Sequence, residues 1–296
     1  MAIHFVKNRR YWYIISLLII IPGIISLLTR GLNLGIDFTG GNLMELKFKQ
    51  EIKITEVRGV LRAYDLEKQP VQKSGPQQVI IRTPVLSEEE NQKLISDFDK
   101  RFGGVEVLRN NKVGPVIGRE ITQKALLSLL IALVLMVVYI SWRFEFQQGI
   151  AAIVALVHDS LITLGLFSIF WVEINTPFVA AILTILGYSI NATIIIFDRV
   201  RENVRLKKKG DTLEGITDRS IRQTLARSVN TSLTTLAMLL AIYFLGGTTV
   251  KNFILALIIG ILSGTYSSIF LAGPVWLDLK KRFGDGRERK TAGARA

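Results

Sequence analysis

Six stretches of this chain are each long and apolar enough to cross a lipid bilayer: 11–29, 121–140, 149–170, 177–197, 229–245 and 252–271. A hydrocarbon core of about 30 Å takes about 20 residues of helix. Residues 125–140 form an almost unbroken aliphatic run, and Lys124 stands at one end of it, where its ammonium can reach the headgroups. The competing explanation for any one stretch is a buried helix of a water-soluble protein. Six of them in 296 residues argue against it. Lys7, Arg9 and Arg10 before the first stretch also suit a signal peptide, but the stretch is too long for one and lacks a small-x-small cleavage pattern before Thr29 and Arg30. It reads as an uncleaved anchor.

Charge sets the expected orientation. Residues 1–10, 198–228 and 278–296 together carry +11 of the chain's net +13. With six spans these three segments fall on one side, the cytoplasm, and 31–120, with 14 basic and 13 acidic residues, falls outside. The basicity is therefore a topology signal. Nucleic-acid binding would need a basic stripe with interleaved aromatics, and none is seen. A chain with no cysteine has no disulfides and no thiolate zinc site, and two histidines do not make a His-rich metal site. No metal and no cofactor is expected.

Residues 31–120 alternate strand and helix patterns. Met44, Leu46 and Phe48 alternate with Glu45 and Lys47, a strand with one wet face. Val57, Val60, Leu61 and Tyr64 mark an amphipathic helix. Strands follow around Val71 and over 79–82. Ser87 and Glu90 form a capping box for a helix carrying Leu94, Ile95, Phe98 and Phe102, and Gly103-Gly104 ends it before a last strand over 105–109. The β-α-β-β-α-β succession predicts a small α+β ferredoxin-like domain. It contains no histidine and no Gly-x-Ser-x-Gly, so binding or lever action fits it better than catalysis. The predicted organisation is an N-terminal segment with the first transmembrane helix (1–30), an external domain (31–120), a five-helix membrane bundle with a cytoplasmic loop (121–275, loop 198–228) and a basic tail (276–296). The fold class is an α-helical polytopic membrane protein with six transmembrane helices.

Ionisable groups inside spans are costly and usually face a pathway or a partner. His158 and Asp159 lie mid-way along the third span, and a carboxyl out of water is suited to carrying a proton. Asp198 and Arg199 end the fourth span, where a helix-end ion pair is an equal reading. Arg227 opens the fifth span with Asn230, Thr231, Ser232, Thr234 and Thr235, which imply a polar face. Arg227 either snorkels to the cytoplasm or reaches inward to a carboxylate. Gly260, Gly264 and Ser268 put small side chains four residues apart on the sixth span, a stripe for close helix packing. Gly35, Gly40 and Gly41 surround Asp37 where the chain leaves the first span.

Taken together, these residues resemble the SecF family, the smaller membrane subunits of SecDF protein-export factors. The resemblance covers nearly the whole chain. Gly35-Ile36-Asp37-Phe38-Thr39-Gly40-Gly41, Val113-Gly114-Pro115-Val116-Ile117-Gly118, His158-Asp159, Gly187-Tyr188-Ser189-Ile190-Asn191, Asp198-Arg199-Val200-Arg201-Glu202-Asn203 and Arg227-Ser228-Val229-Asn230-Thr231-Ser232 carry it. It implies a member of the resistance–nodulation–division superfamily in the bacterial plasma membrane. The implied partners are SecD, with which it would form a pseudo-symmetric twelve-span unit, the SecYEG channel, the translocating preprotein and the lipid bilayer, with YajC a further candidate. Proton flow would move the external domains, which pull or release the preprotein. The proton path would draw on Asp159, His158, Asn191, position 192, Asp198 and Arg227, and coupling on the neck at Gly35, Asp37, Gly40 and Gly41. One departure stands out: the family pattern reads Asn-Asp, whereas Asn191 is followed here by Ala192. Either the position was neutralised, which the matching surroundings favour, or this lineage uses Asp159 or a carboxylate of SecD. The rival functions are half of a small-molecule or lipid exporter and a passive scaffold of the export complex.

Overall fold

The computed structural model describes residues 4–292, so the ends of the N-terminal segment and of the basic tail lie outside the described residues. The chain divides into two compact units, 34–127 and the remainder. In chain order, helix α1 (Arg9–Thr29) and the two-residue strand β1 (Asn33–Leu34) lead into the smaller unit. That unit contains the single turn α2 (Ile36–Thr39), β2 (Gly41–Phe48), α3 (Ile54–Leu61) with a 3-10 turn over Arg62–Tyr64, β3 (Val71–Lys73), β4 (Gln78–Thr83), α4 (Glu88–Phe102) and β5 (Val105–Val113).

Its four strands lie in the order β3-β4-β2-β5, all neighbours antiparallel. With the helices following β2 and β4, this is the expected split β-α-β arrangement. Met44, Leu46 and Phe48 from β2 meet Val57 and Leu61 from α3 and Leu94 and Phe98 from α4 in one core. The Phe48 ring meets those of Phe98 and Phe102 edge-on at 6.2 and 5.2 Å. The expected wet face of β2 is wet only at Lys47, whose side chain is 43% exposed. Glu45 on the same face is buried, because β2 is an inner strand and Glu45 sits between Ile80 and Arg109 in the register.

Helix α4 starts as its sequence requires. Ser87 Oγ accepts from the Glu90 N–H at 3.2 Å, and Glu90 Oε2 accepts from the Ser87 N–H at 2.8 Å. The helix ends on Gly103 at φ +67°, a left-handed cap. Ser87→Ala should cost about 1 kcal/mol of helix stability. Read as amide hydrogen exchange over residues 88–102, that is about fivefold less protection. Hydrogen bonds from the Ser87 backbone and hydroxyl hold the Glu90 carboxyl below its usual 4.5. A depressed folded-state value means the bond supports the cap above the ordinary glutamate range and is lost as pH falls through the folded value. The wild-type advantage over Ser87→Ala should therefore shrink in acid.

Helix α5 (Pro115–Arg143) begins in the smaller unit and runs on into the larger, which continues with α6 (Phe146–Ile169), β6 (Glu173–Ile174), α7 (Thr176–Arg205), α8 (Leu213–Leu245) and α9 (Thr248–Ser267). A π-turn over Ser268–Ala272 joins α9 to α10 (Gly273–Ala292). Six helices are long and apolar enough to cross a membrane, the last being the continuous α9–α10 stretch. The apolar stretches of α6, α7 and α9–α10 are 56%, 44% and 61% buried, whereas those of α1, α5 and α8 are 11%, 6% and 11%, so the first three form the inner layer. Helix α6 packs on α1, α7 and α9, and α8 packs on α7 and α9. Helices α1 and α6 cross backbone to backbone. A Cβ on Gly165 would fall 2.8 Å from the Gly23 Cα, and Ser26 and Ser168 share a hydrogen bond of 2.8 Å nearby. The N-terminal segment is pinned by the Val6 N–H to Asp218 of α8 at 2.9 Å and by Arg9 to Asp278 of α10 at 3.0 Å.

Candidate functional site: a buried carboxylate between three helices

Asp159, in the middle of α6, is fully buried. A buried carboxylate must be paired or hydrogen-bonded. No Lys or Arg reaches it among the described residues. Instead the Ser263 hydroxyl donates to Oδ1 at 2.6 Å, and the hydroxyls of Ser189 and Ser267 donate to Oδ2 at 2.6 and 2.8 Å. His158 Nδ1 lies 2.9 Å from Oδ1. The carboxylate thus ties α6 to Ser189 of α7 and to two residues of α9. Ser263 and Ser267 are one helical turn apart and so share a face. Between them Gly264 lets α9 approach: a Cβ there would meet Ser189 Cβ at 3.2 Å and Asp159 Oδ2 at 3.5 Å.

A polar thread continues toward α1. His158 Nε2 lies 3.0 Å from Ser16 Oγ, and the Tyr266 hydroxyl donates to the Trp12 carbonyl at 2.7 Å. The His158 ring stacks on Tyr266 at 5.9 Å. An ionised carboxylate only accepts, so in that state His158 Nδ1 carries the hydrogen of this contact.

Beyond Ser189, a cavity of about 20 Å³ lies between α7, α8 and α9. Asn191, Ala192, Ser228 and Thr231 line it along with Ser189 and Gly264. The structure therefore brings together Asp159, His158 and Gly264, and sets Asn191 and Ala192 on the adjoining cavity wall. It leaves Asp198 elsewhere. That residue is nine positions beyond Ser189 along α7, about 13 Å by helical rise. There its two oxygens each accept from Arg143 at 2.8 Å, and Oδ1 also from Arg201 at 3.1 Å. Asp198 is thus ion-paired to the last residue of α5 and to its own helix, two turns before α7 ends at Arg205, while Arg199 bonds Glu202 and Gln223 instead. Arg227 is exposed on α8 and is not a partner of Asp159. Of the small-residue stripe, Gly260 packs on Ile185 of α7, and Ser268 is buried at the start of the π-turn, donating to the Thr265 carbonyl at 3.0 Å.

The two glycine-bearing motifs flanking the small unit also meet. A Cβ on Gly40 would lie 3.2 Å from Pro115 Cα, and one on Gly118 3.1 Å from the Phe38 carbonyl oxygen. Gly40 and Gly41 have φ of +74° and +128°, which side-chain-bearing residues rarely adopt. A Cβ on Gly41 would fall 2.6 Å from the Thr83 carbonyl oxygen.

The family described as protein export membrane protein SecD/SecF, C-terminal, matches residues 93–282, and the SecD/SecF GG motif matches residues 25–52. A protein translocase subunit SecF of Acidaminococcus fermentans is 41% identical over 284 residues, 94% of this chain and 97% of that one. Its counterpart in Thermobaculum terrenum is 44% identical over 291 residues, 91% of this chain and 92% of that one. The crystal structure of SecDF, a translocon-associated membrane protein from Thermus thermophilus, superposes with a TM-score of 0.88 at 34% identity. That match covers 95% of this chain and 39% of the SecDF chain, so the chain spans about two fifths of that protein's length.

Proposed function

The chain belongs to the SecF family of protein translocase subunits, multi-pass membrane proteins that are not enzymes, and on that premise we propose that it is the proton-responsive half of an export motor. Its partner is SecD, and the pair works on the outer side of the SecYEG channel of the plasma membrane on an emerging preprotein, with YajC as a further partner. Both termini are cytoplasmic and residues 31–120 are external, as the distribution of basic residues supports.

The observation that carries this reading is the setting of Asp159. Four groups point at its carboxylate, three of them from α7 and α9. Once protonated, the carboxyl must itself donate one bond, so at least one of these groups reverses its bond or turns away. Loading a proton therefore changes how α6 holds α7 and α9, and through His158 how it holds α1. One charge moved through 100 mV supplies about 2.3 kcal/mol, enough to bias a two-state packing. The small unit follows through the chain at 35–41. Asp159, with its four partners, takes the role that the family pattern gives to a carboxylate at position 192, and the exposed Arg227 faces a carboxylate of SecD.

The test is preprotein transport into vesicles reconstituted with SecD and SecYEG, with and without an imposed proton gradient. Gradient-independent transport at the full rate overturns the motor and leaves the scaffold. Ala192→Asp should raise the gradient-dependent component, because it adds a second carboxyl one residue from Asn191. Equal transport by both forms removes position 192 from the mechanism. Gly40→Leu should stall export while membrane insertion persists, since φ +74° and the Pro115 contact both exclude a side chain. Undiminished export reduces this segment to a plain turn.

A further inference from the structure

The cavity beside Asp159 has the size and the chemistry of a particular occupant. We propose that it binds one water molecule, and that this water is the route by which Asp159 exchanges its proton. This rests on Asp159 being the proton-bearing group.

Three features carry the assignment. The cavity measures about 20 Å³. About 10–15 Å³ suffices for one water, provided two to four polar groups face it. Ser228, which lines the cavity, is only 4% exposed, and its hydroxyl has no hydrogen-bond partner among the described residues. A buried hydroxyl left unpaired costs about 1–3 kcal/mol, and a bound water removes that cost. Ser189 is on the same wall and already donates to Asp159 Oδ2 at 2.6 Å.

Two small residues keep the route open. A Cβ on Gly264 would stand 3.5 Å from Asp159 Oδ2 and fill the cavity's inner end. Ala192 forms part of the wall on α7, and the exposed Asn191 and Thr231 lead from it to the outer face of α7 and α8. Loading then runs in one relay. Ser189 gives its hydroxyl proton to Asp159 Oδ2 and takes one from the water, and the water is made whole by a proton arriving past Asn191. Unloading reverses each transfer, and nothing is consumed.

The test is infrared difference spectroscopy on the full chain in bilayer nanodiscs, following the carboxyl C=O band that disappears in Asp159→Asn. On transfer to D₂O the wild-type band should deuterate promptly. Filling the cavity from either side, with Ala192→Leu or Gly264→Ala, should slow deuteration about tenfold or more. Ser228→Ala, which removes a hydroxyl without filling the space and serves if the larger variants misfold, should slow it by several-fold. Unchanged rates with the band intact overturn the water route and leave the proton reading of Asp159 standing. Absence of an Asp159 band at any pH overturns both. A shift of the band on adding Na⁺ at constant pH assigns the cavity to a cation instead of water, and overturns this inference alone.

Discussion

Asp159→Asn should reduce preprotein transport to its gradient-independent background while the six-span bundle stays folded. The amide is nearly isosteric with the carboxyl. Its oxygen, in the place of Oδ1, still accepts from Ser263, and its NH₂, in the place of Oδ2, donates to the hydroxyls of Ser189 and Ser267, which turn round, so all three serines keep partners. What the amide cannot do is take up or release a proton, so the packing of α6 on α7 and α9 is fixed in one arrangement. Asp159→Leu is the contrasting variant. It removes the acceptor shared by three buried serine hydroxyls and a histidine nitrogen, at about 1–3 kcal/mol for each that finds no other partner, and should lower the thermal stability of the bundle markedly. Transport with and without the gradient, beside thermal unfolding of each purified variant, separates the two effects. Full gradient-dependent transport by a folded Asp159→Asn would remove this carboxylate from the mechanism.

The spans were legible because lipid demands length and apolarity together, and both are one-dimensional properties of a sequence. The small domain was legible from its periodicities, since Val57, Leu61, Leu94 and Phe98 fall where a helix facing a sheet must put them. What alternation could not tell is which other strands cover a face, and the buried Glu45 follows from the central place of β2. The site was half legible. His158 and Asp159 announce themselves as ionisable groups in an apolar run, but Ser16, Ser189, Ser263 and Ser267 do not. A hydroxyl in a membrane helix can always bond the carbonyl one turn back. Ser160 does so at 2.9 Å, and Thr163 does so to Asp159's own carbonyl at 2.9 Å. Only the rotation of each helix about its axis separates Ser160 from Ser263, and composition does not encode that rotation. The i, i+4 pair of Ser263 and Ser267 around Gly264 was the one available signal. The polar opening of α8 divides similarly. Ser228 faces inward, whereas Arg227 and Asn230 face out and Thr234 bonds the carbonyls of its own helix.

Gly260→Val should uncouple the bundle without touching a polar atom. A Cβ at 260 would fall 2.3 Å from Ile185 Cδ1 and Cγ1 and 2.6 Å from its Cγ2. Ile185 is 1% exposed and, being β-branched, has little rotamer freedom inside α7. The side chain cannot step aside, so the helices must part. In lipid, close approach over small residues is itself a main source of helix association. Overpacking of this kind costs about 1–3 kcal/mol. The larger consequence is at the site. Ser263 and Ser267 sit within two turns of residue 260 on α9, and their bonds to Asp159 are 2.6 and 2.8 Å long. Moving α9 outward by about 1 Å takes both beyond hydrogen-bonding reach, since such bonds weaken past about 3.2 Å. Gly260→Val should therefore lose both thermal stability and gradient-dependent transport. Ile185→Ala should recover much of each when combined with it, because the space that valine needs is the space isoleucine leaves. The pair forms a double-mutant cycle whose interaction energy measures the α7–α9 contact directly. Simple additivity would mean that residue 260 does not meet Ile185, and that the three serine bonds to Asp159 hold α9 against α7 without help from the small-residue stripe.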